Sequence, residues 1–364
     1  MKRVTLKKWT ISLLAAVSAI GLAACGSAPV SSPQNQTPAP ASTPAASGAA
    51  EAQPEAPKVE GTLTFYTSQP DADAAALIEA FTKQYPDVKV DLFRSGTEEV
   101  ISRLQAEAQA GQVKADLLLV ADAPTFASLK KQDLLLSYKS PEAEGIPADL
   151  KDPDGAYTGT KVMATVLAVN TSKVTTLPDS WQVLTSAETA GKTIMPSPLY
   201  SGAAAYNVGV LTRQSDFGWE FFEKLKANQV MVTQGNGAVL KSVAGGEKDY
   251  GIVVDYLVAN AKKDGSPVDL IYPKEGVPVI TEPVGILKDS ANPEAAKAFV
   301  DFVLSEEGQK LAASLGYTPI REGVPAPNGL KALDQIKVLS ADTNELEASR
   351  EEDKKKFGEM LGGE

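Results

Sequence analysis

From Gly61 onward the apolar residues switch repeatedly between a spacing of two and a spacing of three to four, and that switching limits the folds open to the chain. Residues 62–66 alternate and are β-rich, and residues 71–85 place Leu77, Ile78, Phe81 and Tyr85 at helical spacing. Residues 88–93 form a second strand, residues 95–110 a helix with Val100, Ile101, Leu104 and Ala108 on one face, and residues 117–120 a buried strand. This order implies a parallel sheet flanked by helices. The chain changes character in the turn-rich stretch KDPDGAYTGT, residues 151–160, and a long strand follows at 162–170. A second α/β set has helices at 203–213, 217–226 and 239–245 and a strand at 251–254. A strand at 283–287 then leads into helices at 293–304, 306–315 and around 344–361, with no internal repeat. A chain of 364 residues has room for about two lobes. The expected fold class is therefore α/β, with lobe 1 at 60–165 and 270–330, lobe 2 at 166–269, and a charged helical tail at 331–364. Crossover strands join the lobes around a central ligand cleft.

Histidine is absent and cysteine occurs once, which removes whole classes of chemistry. A Ser-His-Asp triad, a His-ligated zinc, an imidazole acid/base and an intrachain disulfide are all impossible. The formal charge of −11 speaks against nucleic acid, because phosphate backbones call for Lys and Arg stripes. An enzyme such as an envelope phosphohydrolase would need a metal cluster or an activated nucleophile, and no loop carries a dense Asp/Glu cluster. Asp152-x-Asp154-Gly155 matches only part of a calcium loop and reads as a turn. No enzyme, no resident metal and no cofactor is expected.

Residues 1–24 read as a targeting segment. Lys2, Arg3, Lys7 and Lys8 are followed by an apolar run from Trp9 to Leu22, shorter than the ~20 residues a membrane span needs. The run ends in Leu22-Ala23-Ala24-Cys25-Gly26, which resembles the lipobox of bacterial lipoproteins. That resemblance implies cleavage before Cys25 and a diacylglycerol on its thiol. Removing 1–24 deletes four basic groups and no acidic one, so −11 becomes −15. Residues 25–59 are expected to be the lipidated cysteine and a Pro/Ala/Ser tether, too polar to repay the entropy of ordering. About 33 such residues reach at most ~100 Å. The expected location is the cell envelope outside the cytoplasmic membrane, on its periplasmic or extracellular face, with the lipid as the contact to the membrane.

In open parallel sheets ligands sit beyond the carboxyl ends of strands. Thr67, Ser68 and Gln69 follow the first strand, Ser95, Gly96 and Thr97 follow the second, and Asp122 follows the third. In the second set, Ser201, Gly202 and Ala203 precede one helix, Asn236 and Gly237 another, and Asp255 and Tyr256 end a strand. Small polar and Gly residues at a helix start expose free N–H groups and the positive end of the helix dipole, which attract phosphate, sulfate or carboxylate. Simple capping is the competing reading: Ser95 or Thr97 with Glu98 and Glu99 also fits a capping box. Asp255 or Asp122 could pair with a ligand ammonium, or merely cap a helix. Trp181, Trp219, Phe221 and Phe222 read as core, and Glu306, Glu307 and the Glu/Lys-rich tail as solvated faces.

Three stretches carry a family resemblance: LTFYTSQPDADAAALIEAFTKQYPDVKV, then PSPLYSGAAAY with QGNGAVLKSVAGGEKDYGIVVDY, and finally EPVGILKDSANPEAAKAFVDFVLSEEGQKLAASLGYTPIREGV. Residues 61–325 resemble extracellular solute-binding proteins of ABC importers, in the branch that includes ferric-iron-, aminoethylphosphonate- and thiamine-binding relatives. The resemblance implies a type II periplasmic-binding-protein fold, a monomer that closes on its ligand like a hinged trap and delivers it to membrane permease subunits. The ferric branch binds its metal with His, Glu and two adjacent Tyr, which fall on Pro70, Asp122, Tyr256 and Leu257. With half of that set lost, Fe(III), which wants several anionic oxygens, fits less well than an organophosphonate or organophosphate such as 2-aminoethylphosphonate.

Overall fold

The computed structural model describes residues 58–362. The expected targeting segment, Cys25 and the expected tether up to residue 57 lie outside the described residues. The first half runs β1 Gly61–Thr67, α1 Asp71–Gln84, β2 Val88–Arg94, α2 Thr97–Gln109, β3 Leu117–Leu119, α3 Ala123–Lys131 and β4 Leu135–Leu136. β5 Thr158–Asn170 crosses into the second half, which holds β6 Thr193–Pro196, α4 Gly202–Thr212, α5 Gly218–Ala227, β7 Met231–Thr233 and α6 Asn236–Ala244. That half continues with β8 Tyr250–Val254, α7 Asp255–Lys263 and β9 Val268–Ile271, and β10 Val277–Leu287 returns from it. α8 Pro293–Leu304, α9 Glu306–Ser314, β11 Thr318–Pro319, β12 Val338–Leu339 and α10 Thr343–Leu361 complete the chain.

The main strand order is β2-β1-β3-β10-β5-β8-β6-β7. β1 pairs parallel with β2 and β3, and β6 parallel with β7 and β8, as βα units require. The two long strands β5 and β10 run antiparallel to each other and join the parallel sets. All 13 residues of β5 are buried, which explains its unbroken apolar pattern. The register of β10 on β5 shifts between Thr281 and Pro283, placing Glu282 at an irregularity where Pro283 needs no ladder N–H.

Leu63, Phe65, Phe81 and Phe299 centre one core in the first half, and Trp181, Phe221, Phe222 and Leu225 centre the core of the second. A smaller cluster of Ala121, Met163, Ala203, Val254, Tyr256, Ile280 and Tyr317 draws on both halves at the crossing strands. Asp152 to Gly155 is a turn, with Asp152 accepting from the backbone N–H groups of Asp154 and Ala156. The tail departs from a solvated face. Phe357 of α10 is fully buried, and its Arg350 and Lys354 side chains are only 12% and 13% exposed.

Candidate functional site

A cavity of about 320 Å³ lies where the two halves face each other. Ser68, Pro70, Asp71, Arg94, Gly96 and Thr97 line it from the first half, and Tyr200, Ser201, Ala203, Asn236, Gly237 and Tyr256 from the second. Five helices start at this cavity: α1, α2, α4, α6 and α7. Four of them, preceded by Pro70, Gly96, Gly235 and Val254, have no side chain accepting at the N-cap, although Asp255 Oδ1 takes the Tyr256 N–H of α7 and the Tyr200 carbonyl takes the Glu98 N–H of α2. The fifth, α4, is capped by Ser201 Oγ, which accepts from Ala204 N–H and from Asn236 Nδ2. With both acceptor positions filled, the Ser201 hydroxyl keeps its proton to donate. Asn236 Oδ1 in turn accepts from Val254 N–H, which ties the starts of α4, α6 and α7 together.

The charges are mixed. Arg94 ends β2, and its Nε donates to the Gln69 carbonyl at 2.7 Å, which fixes the guanidinium and leaves its two Nη groups for other partners. Asp71 and Glu282 also line the cavity. Glu282 is buried and paired with the equally buried Lys161 at 2.7 Å, and Lys161 sits over the Tyr317 ring. The Tyr317 hydroxyl donates to Asp73 and lies 3.0 Å from the Tyr256 hydroxyl. Burial drives both phenols well above their ordinary pKa, so they are protonated hydrogen-bonding groups at neutral pH. Such a site offers many N–H and O–H donors and one arginine to a small polar solute. Among the described residues no group of three or more Asp, Glu, Cys or His could hold a metal ion, and no helix is long and apolar enough to cross a membrane.

Residues 76–338 match the family of bacterial extracellular solute-binding proteins. The chain belongs to that family. It is a solute-binding protein of the extracellular or periplasmic space and not an enzyme. It is 28% identical over 277 residues to a probable ABC transporter periplasmic-binding protein of Sinorhizobium fredii, covering 72% of this chain and 75% of the relative. A putative 2-aminoethylphosphonate-binding periplasmic protein of Salmonella typhimurium is 26% identical over 268 residues, covering 70% of this chain and 76% of its own. The iron-bound structure of HitA from Pseudomonas aeruginosa superposes with a TM-score of 0.73 at 25% identity, over 82% of this chain and 99% of that one. The α/β periplasmic-binding-protein fold expected from the sequence is the fold observed.

Eight of the sequence-predicted residues of this solute-binding protein come together on the cavity: Ser68, Gly96, Thr97, Ser201, Ala203, Asn236, Gly237 and Tyr256. The other six do not line it, each for a local reason. Thr67 Oγ1 donates to the Leu119 carbonyl and accepts from Gln69 N–H. Gln69 instead lines a separate small pocket together with Lys161 and Tyr317. The Ser95 hydroxyl is taken by Glu99. Gly202 is packed so tightly on Thr97 and the Ala121 carbonyl that a Cβ would come within 2.8 Å of both. Asp122 caps α3 through Thr125 and is paired with Arg350 at 2.9 Å. Asp255 starts α7 and accepts from the N–H groups of Ala164 and Tyr256 and from the Tyr272 hydroxyl. Neither aspartate is placed to meet a ligand amine.

Arg94, Asp71, Tyr200, Gln234 and Glu282 line the cavity without having been singled out. Arg94 had a signal, since it stands at the end of a strand directly before Ser95-Gly96-Thr97. Glu282 had none, because only the irregular pairing of β10 with β5 puts it there.

Proposed function

We propose that this solute-binding protein is the lipid-anchored receptor of an ABC importer, held at the membrane through Cys25. It captures a small solute bearing a phosphonate or phosphate group and passes it to the permease. The observation that carries the ligand class is the convergence of five helix N-termini, four without side-chain caps, on a cavity that also contains Arg94. A cavity of about 320 Å³ suits an organophosphonate or organophosphate such as 2-aminoethylphosphonate. An amine on that ligand would meet Asp71 or Glu282, which replace Asp255 and Asp122 in this role. The importer assignment is supported by the Sinorhizobium relative, and the phosphonate by the Salmonella relative.

Ferric iron is the second reading, favoured by Tyr200, Tyr256, Asp71 and Glu282 as oxygen donors in one cavity and by the iron-bound structural relative. It is the weaker one. Helix N-termini and an arginine repel a bare trication, and only two of these four donors are carboxylates. Titration calorimetry with 2-aminoethylphosphonate, inorganic phosphate, thiamine phosphate and ferric citrate tests the choice. Heat of binding from a phosphorus compound supports the proposal, whereas binding of ferric citrate alone, with a visible tyrosinate band, replaces it with iron. Loss of radiolabelled palmitate from Cys25→Ser cells tests the anchor.

A further inference from the structure

The C-terminal helix α10 is seated on both halves of the molecule by two different kinds of contact. Towards the first half the contact is ionic. Arg350 Nη1 lies 2.9 Å from Asp122 Oδ2 and Nη2 2.8 Å from Glu98 Oε1, while Lys354 Nζ lies 2.6 Å from Glu98 Oε2. Glu347 adds a pair with Lys131 of α3 at 2.7 Å. These are not loose surface pairs: Asp122 is 1% exposed and Glu98 12%. Towards the second half the contact is largely apolar. Phe357 is fully buried with its ring 5.9 Å from that of Phe222 in α5, and Leu346 presses on Gly209 of α4, where a Cβ would lie 2.8 Å from its Cδ2. Arg213 of α4 adds pairs with Asp353 and Glu345.

The ionic seat lies directly behind the wall of the ligand cavity. Gly96, Thr97 and Ala121 line the cavity, and the next residues along the chain, Glu98 and Asp122, hold α10. Opening a two-lobed binding protein separates its halves, so a helix seated on both must let go of one. Water can replace ion-pair partners far more readily than it can replace a packed Phe and Leu. We infer that α10 is a strap that travels with the half carrying α4 and α5. Its Arg350 and Lys354 close onto Glu98 and Asp122 only when the halves come together, and these pairs set the balance between open and closed arrangements. Any ligand that binds the closed arrangement then binds more weakly when the strap is cut, in proportion to the closed population lost. The inference rests on the two-lobed fold and is independent of which solute the cavity takes.

Spin-label distances in the full chain test it without any ligand. In a Cys25→Ser background, nitroxides at Lys83→Cys in α1 and Glu220→Cys in α5 report the separation of the halves. Arg350→Met and the milder Glu98→Gln should lengthen that separation and lower the closed-to-open ratio about tenfold. Lys354→Glu should do the same, because it sets a second carboxylate against Glu98. A label pair at Glu351→Cys and Glu220→Cys should keep its distance throughout, because α10 rides with α5. Circular dichroism identifies any variant that fails to fold, and Glu98→Gln, which keeps the side-chain shape, remains readable if Arg350→Met does. Parental interhalf distances in folded Glu98→Gln and Lys354→Glu would overturn the inference. So would a lengthening of the Glu351–Glu220 pair as the halves part.

Discussion

Gly96 and Tyr200 meet so closely across the cavity that a β-carbon at position 96 would lie 2.6 Å from both the ring and the carbonyl oxygen of Tyr200. The same carbonyl accepts from Glu98 N–H at 3.3 Å, so the start of α2 in the first half is docked on a loop of the second. The backbone of Gly96 has φ −61, which alanine adopts without strain. Gly96→Ala is therefore expected to leave each half folded and to hold the halves apart. Ligand affinity should fall about tenfold or more, with an increased radius of gyration in the liganded state by small-angle scattering. Unchanged affinity and unchanged scattering would mean that this contact does not belong to closure.

Asp255 gives the fold a pH dependence of known sign. Burial raises its pKa from 3.8 to about 6, partly offset by the donors Tyr272, Tyr256 and Ala164. A carboxyl that holds its proton more tightly when folded lends stability that is complete below the unfolded pKa, near pH 4. That stability is lost as the pH rises through about 6. The contribution is on the order of 3 kcal/mol. Urea melts of the parent and Asp255→Asn between pH 4 and 7 should differ in slope, the parent losing relative stability across that window. Parallel curves would show that the carboxyl is not held at a raised pKa.

The fold was legible in the sequence wherever periodicity and burial coincide. The reading of residues 293–304 as a helix matches α8 to the residue, because Pro293 opens it and apolar residues recur at helical spacing through Leu304. α3 and α7 entered the reading only as the capping alternative for Asp122 and Asp255, for a shared reason. Each starts close behind a strand, α3 at Ala123 shortly after β3 and α7 at Asp255 directly after β8, so both aspartates look like strand ends aimed at a ligand. In the structure their carboxylates are consumed by N–H groups, a hydroxyl and Arg350. The helix-start residues of the site were visible because Ser, Gly and Asn act locally. Arg350 and Glu282 were not, since each reaches its place through contacts more than a hundred residues away in sequence.

Phe357 tests whether α10 is part of the fold or an appendage. It is fully buried among residues of the second half, including Phe222. Phe357→Ala should cost about 3–5 kcal/mol in a urea melt, the range for emptying a packed aromatic site. An exposed tail would lose less than about 0.5 kcal/mol on the same substitution, so a small effect would detach α10 from the core.

Arg94 should distinguish a charged anion site from one built of backbone donors alone. Its Nε is fixed by the Gln69 carbonyl, so the guanidinium enters the cavity already oriented and loses little entropy on meeting a ligand. Hydrogen bonds to a charged partner are worth about 1.5–3 kcal/mol each, so Arg94→Met should weaken 2-aminoethylphosphonate roughly 10- to 150-fold. Arg94→Lys keeps the charge and loses the forked geometry, and should fall between the two. Salt should weaken binding less in Arg94→Met than in the parent, because one full charge has left the site. Equal affinities in all three proteins would assign the anion to the helix N-termini alone and make Arg94 a brace for the Gln69 turn.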